Sequence, residues 1–285
     1  MTQGQGRGQQ RRTVLACFAH PDDEAFGTGG VLAKHSAEGD RVVLVCATRG
    51  ECGEISDPAL ATPETLGAVR EQEMQRAAAA LGIHEVIFLD FRDSGMAGTA
   101  ENDDPRAFVN ARSDDVVATL TEIIRRERPG VVITFEPHGG YGHPDHKAIH
   151  HHTTAAVQSA AAPSYRPDLG DAWRAPRLCW GVIPRSVFRA MFEELKRIGE
   201  DVSQWERMDE AGIGWPDDMV DITVDVSDFV SAKWAALESH QTQFGDNNQF
   251  RQASEAMMHQ TLGREYFFIA MPWRDERGTM VDLFE

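Results

Sequence analysis

No stretch of this 285-residue chain approaches eighteen consecutive apolar residues, the length a membrane-crossing helix needs, so no transmembrane helix is expected. The start, MTQGQGRGQQRR, carries arginines but no apolar core long enough for a signal peptide, because TVLACFAH runs straight into acids. Residues 1–11 read instead as a disordered polar tail ahead of a single domain over 12–285. Cysteine is sparse: the four residues Cys17, Cys46, Cys52 and Cys179 show no C-x-x-C pairing. Cys17 and Cys46 fall in apolar runs, where free thiols sit buried as core. That excludes a disulfide-stapled scaffold and suits a reduced, cytoplasmic protein. Positive charge is short as well, with 28 Lys and Arg against 45 Asp and Glu and a formal net charge of −17. Phosphate binding needs clustered cations, so neither nucleic acid nor an anionic membrane is an expected partner.

What is present is an alternation of two kinds of segment. TVLACFAH (13–20), RVVLVCAT (41–48), EVIFLDF (85–91) and GVVITFEP (130–137) are continuous apolar runs, the pattern of strands covered on both faces as in a parallel sheet. Between them lie helical patterns at 29–39, 65–82 and 114–130, the last two closing on Leu-Gly and Arg-Pro-Gly. The expected fold is therefore α/β, a three-layer Rossmann-like arrangement around a mostly parallel sheet. Beyond residue 153 a helix continues, and a Pro/Asp/Arg-rich connector follows. LCWGVIP and MVDITVDVS then read as strands, and DFVSAKWAALESHQTQF as a helix with Asp228 as its cap.

Two clusters carry chemistry. CFAHPDDEAFG (17–27) sets His20, Asp22, Asp23 and Glu24 directly after the first strand, where ligands of an open α/β sheet bind. Asp22 or Asp23 could simply cap a helix starting near Ala25. Three adjacent acids are more than a cap requires, however, and His-x-x-Asp lets an imidazole and a carboxylate converge on a cation. The second cluster, EPHGGYGHPDHKAIHHH (136–152), also follows an apolar strand and repeats the His-Pro-Asp turn at 143–145. Catalytic zinc sites use three His or carboxylate ligands and leave a position open, and the two clusters together supply such a set.

AHPDDE with a downstream GHPDH resembles the PIG-L/LmbE family of zinc-dependent N-acetylglucosaminyl deacetylases. FRDSGMAGT (91–99) and GGYGHPDH (139–146) are similar to its mycothiol-pathway members, and bacillithiol-pathway deacetylases share the family. The resemblance implies His20, Asp23 and His146 as metal ligands for one Zn2+ per chain, with Fe2+ an alternative in the cell. It implies Asp22 as general base, His143 as electrostatic partner and Tyr141 as the group that polarises the carbonyl, so that amide hydrolysis would draw on the metal for an activated water, on Tyr141 and a protonated His143 for charge stabilisation, and on Asp22 or His143 to protonate the amine. Asp145 would orient the histidine, while His240, in KWAALESHQTQF with Gln243, would brace the site. Thr242 stands where the family usually has serine.

Around this core, Glu51, Arg70 and Asp93 each follow a strand or open a helix and match substrate-binding positions of the family. His150, at i+4 from His146, is expected to support rather than to ligate, and His138 to shape the mouth. The implied function is deacetylation of a small amino-sugar amide, GlcNAc-malate or GlcNAc-inositol, in low-molecular-weight thiol biosynthesis. The alternatives are a mycothiol-type S-conjugate amidase and a non-catalytic metal- or sugar-binding module, the latter disfavoured by a base beside the ligands. A homo-oligomer is left open.

Overall fold

The apolar runs at 13–20, 41–48, 85–91 and 130–137 become strands β1 (Thr13–Phe18), β2 (Arg41–Thr48), β3 (Glu85–Phe91) and β4 (Val131–Phe135), followed by β5 (Arg177–Val182), β6 (Ile222–Asp225) and β7 (Arg264–Met271). The computed structural model describes residues 12–199, 201–203, 206–207, 214–246, 248, 251, 261–273 and 279–285; the polar tail over 1–11 lies outside them. The sheet order is β3-β2-β1-β4-β5-β7-β6. The first five strands are parallel, and β7 runs antiparallel to both β5 and β6. This is the mostly parallel α/β sheet expected. β7 (REYFFIAM) has no counterpart among the expected strands, although its apolar run carries the same signal. β3 has a single neighbour and is mostly half-buried rather than covered on both faces.

Among the described residues, seven helices connect or cover these strands: α1 (Asp23–Phe26), α2 (Gly29–Ala37), α3 (Leu66–Leu81), α4 (Ser113–Glu127), α5 (Pro144–Ala160), α6 (Arg185–Arg197) and α7 (Val230–Ser239). α3 stops at Gly82, whose φ of 69° is the left-handed conformation that glycine adopts without penalty. The start of α7 differs from expectation. Asp228 lies inside a 3-10 turn, Ser227–Phe229, and Phe229 occupies the position before the helix. α6 (RSVFRAMFEELKR) has no counterpart in the sequence reading, yet Phe188, Met191, Phe192 and Leu195 recur at helical spacing and form its buried face.

The three layers follow from the two-residue period of the strands. Val14, Ala16 and Phe18 face Val31 and Leu32 of α2 and Met74 of α3. Leu15 and Cys17 point the other way, onto Val116, Leu120 and Ile124 of α4 and Ile149 and Ala156 of α5. Each such side chain contributes roughly 1.5–3 kcal/mol by leaving water. One buried polar link ties the layers. Glu265 on β7 accepts from Gly30 N and Val31 N at the start of α2 (2.8 and 2.7 Å) and pairs with Lys233 Nζ of α7 at 2.7 Å. Position 30 must be glycine here, because a Cβ would lie 2.6 Å from Val226. Cys17 and Cys46 are buried free thiols. Among the described residues no helix is long and apolar enough to cross a membrane.

The topology also fixes where a site belongs. From β1 the chain runs outward to β2 and β3, then returns to place β4 against β1's other edge, with Val14 beside Val131 and Ala16 beside Ile133. The strand order therefore reverses between β1 and β4, and the crevice beyond their carboxyl ends is the natural binding position. Both His-Pro-Asp turns open into it.

Candidate active site

After β1 the chain turns sharply through Pro21 into α1. Asp22 occupies the position before that helix with φ 116°, ψ −26°, and makes no side-chain cap. A non-glycine residue pays roughly 1–3 kcal/mol for such a backbone, and residues held this way cluster at functional sites. The strain is held from three directions. Asp22 N donates to Glu24 Oε2 at 3.0 Å, Ala25 N donates to Asp22 O at 3.0 Å, and Arg70 Nη2 lies 3.3 Å from Asp22 Oδ2. The capping reading thus gives way: Asp22 keeps its carboxylate for the cavity. Asp23 turns inward instead, its Oδ2 accepting from Ala19 N (3.1 Å) and His20 N (2.8 Å).

After β4, the stretch through Gly139, Gly140 and Gly142 takes positive φ at each of these glycines. Pro144 then opens α5, with the ring of His143 accepting from Asp145 N through Nδ1 at 3.1 Å. Pro at the first helical position suits its fixed φ and missing N–H. Gly139 is close packed, since a Cβ there would sit 2.7 Å from His146 Cβ, and its carbonyl lies 3.1 Å from His146 Nδ1.

These two turns bring His20 Nδ1 within 3.2 Å of His146 Nε2, with Asp23 Oδ1 3.2 Å from the latter and Asp23 Oδ2 3.7 Å from the former. The other nitrogen of each ring decides what this means. His146 Nδ1 faces a carbonyl, and His20 Nε2 faces Asp145 Oδ2 at 3.2 Å and Asp93 Oδ1 at 3.5 Å. Carbonyls and carboxylates only accept, so these partners assign the ring protons to those nitrogens. The two remaining nitrogens then point lone pairs at each other beside a carboxylate, all of them buried. Lone pairs cannot satisfy one another, whereas a divalent cation between them would. The donor set therefore fits a metal ion. The ring nitrogens of His143 also come within 4.8 Å of ligand atoms of His20 and His146.

Electrostatics separate the two neighbouring carboxylates. Burial pushes Asp22 up to about 6, against the pull of Arg70 and with a further push from Asp23; its side chain keeps 33% exposure, which moderates that rise. Asp23 is also pushed up by burial, but His146, His20 and the backbone N–H groups outweigh it and hold its carboxyl well below the usual range. Neighbouring titratable groups driven apart in this way mark a division of labour. His143 is pushed down to about 4 by burial and by His20 and His146. Its Nδ1 accepts from Asp145 N, the geometry of a neutral ring rather than of the expected protonated one. The proton then sits on Nε2, which leaves a donor rather than a cation. Tyr141, half-exposed at 50%, lies edge-on to His146 with ring centroids 5.1 Å apart. Burial of its phenol and the nearby Asp23 and Asp22 hold it above its ordinary pKa, hence protonated.

The residues expected to touch substrate lie behind the ligands. Arg70 is buried and donates to Gly50 O (2.8 Å) and Pro21 O (2.6 Å), clamping the first turn beside Asp22. Asp93 is buried, accepts from Cys52 N and Gly95 N, and backs His20. Glu51 accepts from Asp93 N at 3.0 Å. Asp145 is fully buried and receives Ser94 N at 2.9 Å and the Ser94 hydroxyl as well as facing His20.

His240 reaches Glu24 Oε1 through Nε2 at 2.7 Å. Burial works to lower its pKa, but the charge and hydrogen bond of Glu24 outweigh that and raise it. Thr242 donates twice to buried Glu73, and His150 meets Phe135 O at 2.7 Å, away from the ligand atoms. Ser94 was not singled out by sequence reasoning, and Glu24 was noted there as one of three adjacent acids without being given a role.

A cavity of about 610 Å³ opens over this centre, a size suited to a small-molecule site. Asp22, Asp23, His146, Tyr141, His138 and His240 line one end of it. The rest of its lining includes Phe18, Phe26 and Phe135 near the two turns and residues of β5, α6, 214–216 and α7, which lie beyond the part of the sequence that carries the motifs.

A family model described as "PIG-L: GlcNAc-PI de-N-acetylase" matches residues 15–157. A 1D-myo-inositol 2-acetamido-2-deoxy-alpha-D-glucopyranoside deacetylase of Geodermatophilus obscurus is 40% identical over 279 residues, covering 94% of each chain. Among solved structures, N,N'-diacetylchitobiose deacetylase from Pyrococcus horikoshii superposes with a TM-score of 0.65 at 21% identity, covering 93% of this chain and 89% of that one. GalB, the 4-carboxy-2-hydroxymuconate hydratase of Pseudomonas putida KT2440, does so at 0.61 and 20%, covering 94% and 99%. A deacetylase and a hydratase thus share this architecture, and at such identities the likeness speaks for the fold alone.

Proposed function

The chain belongs to the PIG-L family of GlcNAc-PI de-N-acetylases and is an amide-hydrolysing enzyme, and from that premise we propose that it removes the acetyl group from a GlcNAc-inositol substrate, using one zinc ion per chain held by His20, Asp23 and His146. The observation that carries this reading is the pair of buried imidazole lone pairs meeting 3.2 Å apart beside the Asp23 carboxylate. The name of the Geodermatophilus obscurus relative favours inositol over malate as the aglycone. Likeness to mycothiol-pathway members supports a step in low-molecular-weight thiol biosynthesis.

Bound at that site, zinc would make a water nucleophilic near neutral pH and draw electron density from the amide carbonyl. The chain supplies the remainder. Asp22, which titrates near 6 and is held by Arg70 at 3.3 Å, takes the proton from the attacking water. The same carboxyl, now protonated, returns that proton to the amine nitrogen as the C–N bond breaks. Neutral His143 donates from Nε2, and Tyr141 from its hydroxyl, to the carbonyl oxygen as it gains charge. Asp145 and Asp93 keep the His20 ring turned so that Nδ1 faces the metal position. Arg70, Asp93 and Glu51 act in this reading as positioning residues.

The test is amine release by the zinc-loaded protein from GlcNAc-inositol, GlcNAc-malate and N-acetyl-lysine. GlcNAc-inositol should be hydrolysed at least about tenfold better in kcat/KM than either of the others, because hydroxyl partners matter in a buried polar site. Amine release from none of them, with metal content confirmed, would overturn the reading.

A further inference from the structure

The two rings that face the metal position are held from behind in different ways. His146 Nδ1 meets a backbone carbonyl, Gly139 O at 3.1 Å, a group that every residue type supplies. His20 Nε2 meets side chains: Asp145 Oδ2 at 3.2 Å and Asp93 Oδ1 at 3.5 Å. The orientation of His20 therefore depends on what fixes those two carboxylates. Asp93 is engaged elsewhere, its Oδ1 accepting from Gly95 N at 2.8 Å and its Oδ2 from Cys52 N at 3.1 Å. Asp145 is the nearer acceptor, and one residue holds both of its oxygens.

That residue is Ser94, fully buried in the loop after β3. Its N–H donates to Asp145 Oδ2 at 2.9 Å, and its hydroxyl donates to Asp145 Oδ1. A third group settles the direction of the hydroxyl. Val109 N donates to Ser94 Oγ at 3.0 Å, so the oxygen accepts there and its one proton is left for the carboxylate. The loop is tied down from its far side, where Asn102 Nδ2 donates to Ser94 O and Met96 O, and Asn110 Nδ2 to Asn102 O. Pinned at both oxygens, the Asp145 carboxylate keeps its aim on His20 Nε2. Asp145 also stands between His143 and His146 where α5 begins, so a single grip serves both His-Pro-Asp turns.

We propose that Ser94 is a positioning residue of the metal centre: through Asp145 it holds the His20 ring with Nδ1 toward the metal and so sets how tightly the metal is bound. The inference rests on the zinc reading above. A carboxylate behind a ligating imidazole fixes the ring and strengthens it as a ligand, and losing such a partner costs about 10- to 100-fold in metal affinity. Without the hydroxyl, Asp145 Oδ1 loses this donor and Val109 N this acceptor, both in the protein interior.

Zinc affinity, measured by competition with a chromophoric chelator, tests this without any turnover. The proteins are wild type, Ser94→Ala, Asp145→Asn and the double variant. Ser94→Ala should raise the zinc dissociation constant about tenfold or more. Because Ser94 acts through Asp145, adding Ser94→Ala to Asp145→Asn should change that constant by less than about threefold. The melting temperature of each metal-free protein separates positioning from packing. A serine that merely packs would lower it in Ser94→Ala and leave zinc affinity unchanged, and that result would overturn the proposal. Additive losses in the double variant would overturn it as well. Should Ser94→Ala fail to fold, Ser94→Cys keeps a similar shape with a much weaker donor and should show the same loss; zinc affinity equal to wild type there would count against the proposal. Wild-type protein that holds no zinc would defeat the zinc reading and this one together. Zinc held tightly by wild type and weakly by Ser94→Ala, without amine release from any substrate, would leave Ser94 its role and defeat only the deacetylase reading.

Discussion

Asp22 and Asp23 are chemically identical neighbours whose surroundings shift them in opposite directions, and substitution should tell their proposed roles apart. Asp22→Asn keeps the shape and the backbone contacts, so metal content should remain at the wild-type level while kcat falls about 10²- to 10⁴-fold, the range for losing a general base. His20→Ala should lose metal and activity together, by elemental analysis and amine release on the same samples. If Asp22→Asn lost metal to the same extent, the roles of base and ligand would be exchanged. Arg70→Met is a different case. It strips donors from Gly50 O and Pro21 O and removes the cation beside Asp22. It should lower thermal stability by about 1–3 kcal/mol and reduce kcat more than it raises KM, as expected of a residue that positions the base. The clustering of the proposed ligand and base positions was legible because each pair lies in one short turn. The direction of Arg70, Asp93 and Glu51 was not. Sequence position puts them at the carboxyl edge of the sheet, but only packing decides whether a side chain there faces the cavity or the back of a histidine.

Among the elements, β1 and β4 could be read as neighbours of one site because their apolar runs end in the same His-Pro-Asp turn. α6 and β7 went unread for the opposite reason: they carry ordinary amphipathic and apolar patterns with no chemistry attached, and their importance comes from where tertiary packing puts them. The joint between β7, α2 and α7 lends itself to a quantitative test. Glu265→Gln leaves Lys233 buried without its counter-charge and should cost about 3–5 kcal/mol in denaturant unfolding. The double substitution Glu265→Gln with Lys233→Met should recover much of that loss; no recovery would mean that the N–H groups of Gly30 and Val31, rather than Lys233, carry the effect.

α2 also holds His35, fully buried, with Nδ1 3.0 Å from Asp40 and Lys34, Glu38 and Asp282 around it. Burial lowers its pKa despite those acids. The unfolded chain therefore binds a proton that the folded one resists. Stability is full above the ordinary histidine range and falls as pH drops through about 6.5. His35→Met should flatten that part of the stability curve relative to wild type.

For the whole molecule, the net charge of −17 acts on any charged substrate before contact. GlcNAc-malate is anionic and GlcNAc-inositol is neutral. The kcat/KM for the malate compound should therefore rise with added salt as repulsion is screened, while that for the inositol compound stays flat. Parallel salt profiles would show that the field at the crevice is local rather than global. Chelation addresses the same scale, because a metal joining the two turns binds only the folded chain. At a hundredfold excess over its dissociation constant it adds about 2.7 kcal/mol. Its removal should lower the melting temperature by about 5–10 °C for a chain of this size, and zinc should restore it.

Glu24 joins the strained turn at Asp22 to His240, more than two hundred positions downstream. The stretch matched by the family model, 15–157, contains every residue proposed to hold the metal, yet neither that histidine nor the cavity-lining residues of β5, α6 and 214–216. The proposed reaction and part of the cavity around it therefore rest on different parts of the chain. A relative that shares only the first part would keep the residues proposed to cut an amide, while the remainder, nearly half of this chain, could diverge toward another amide to cut.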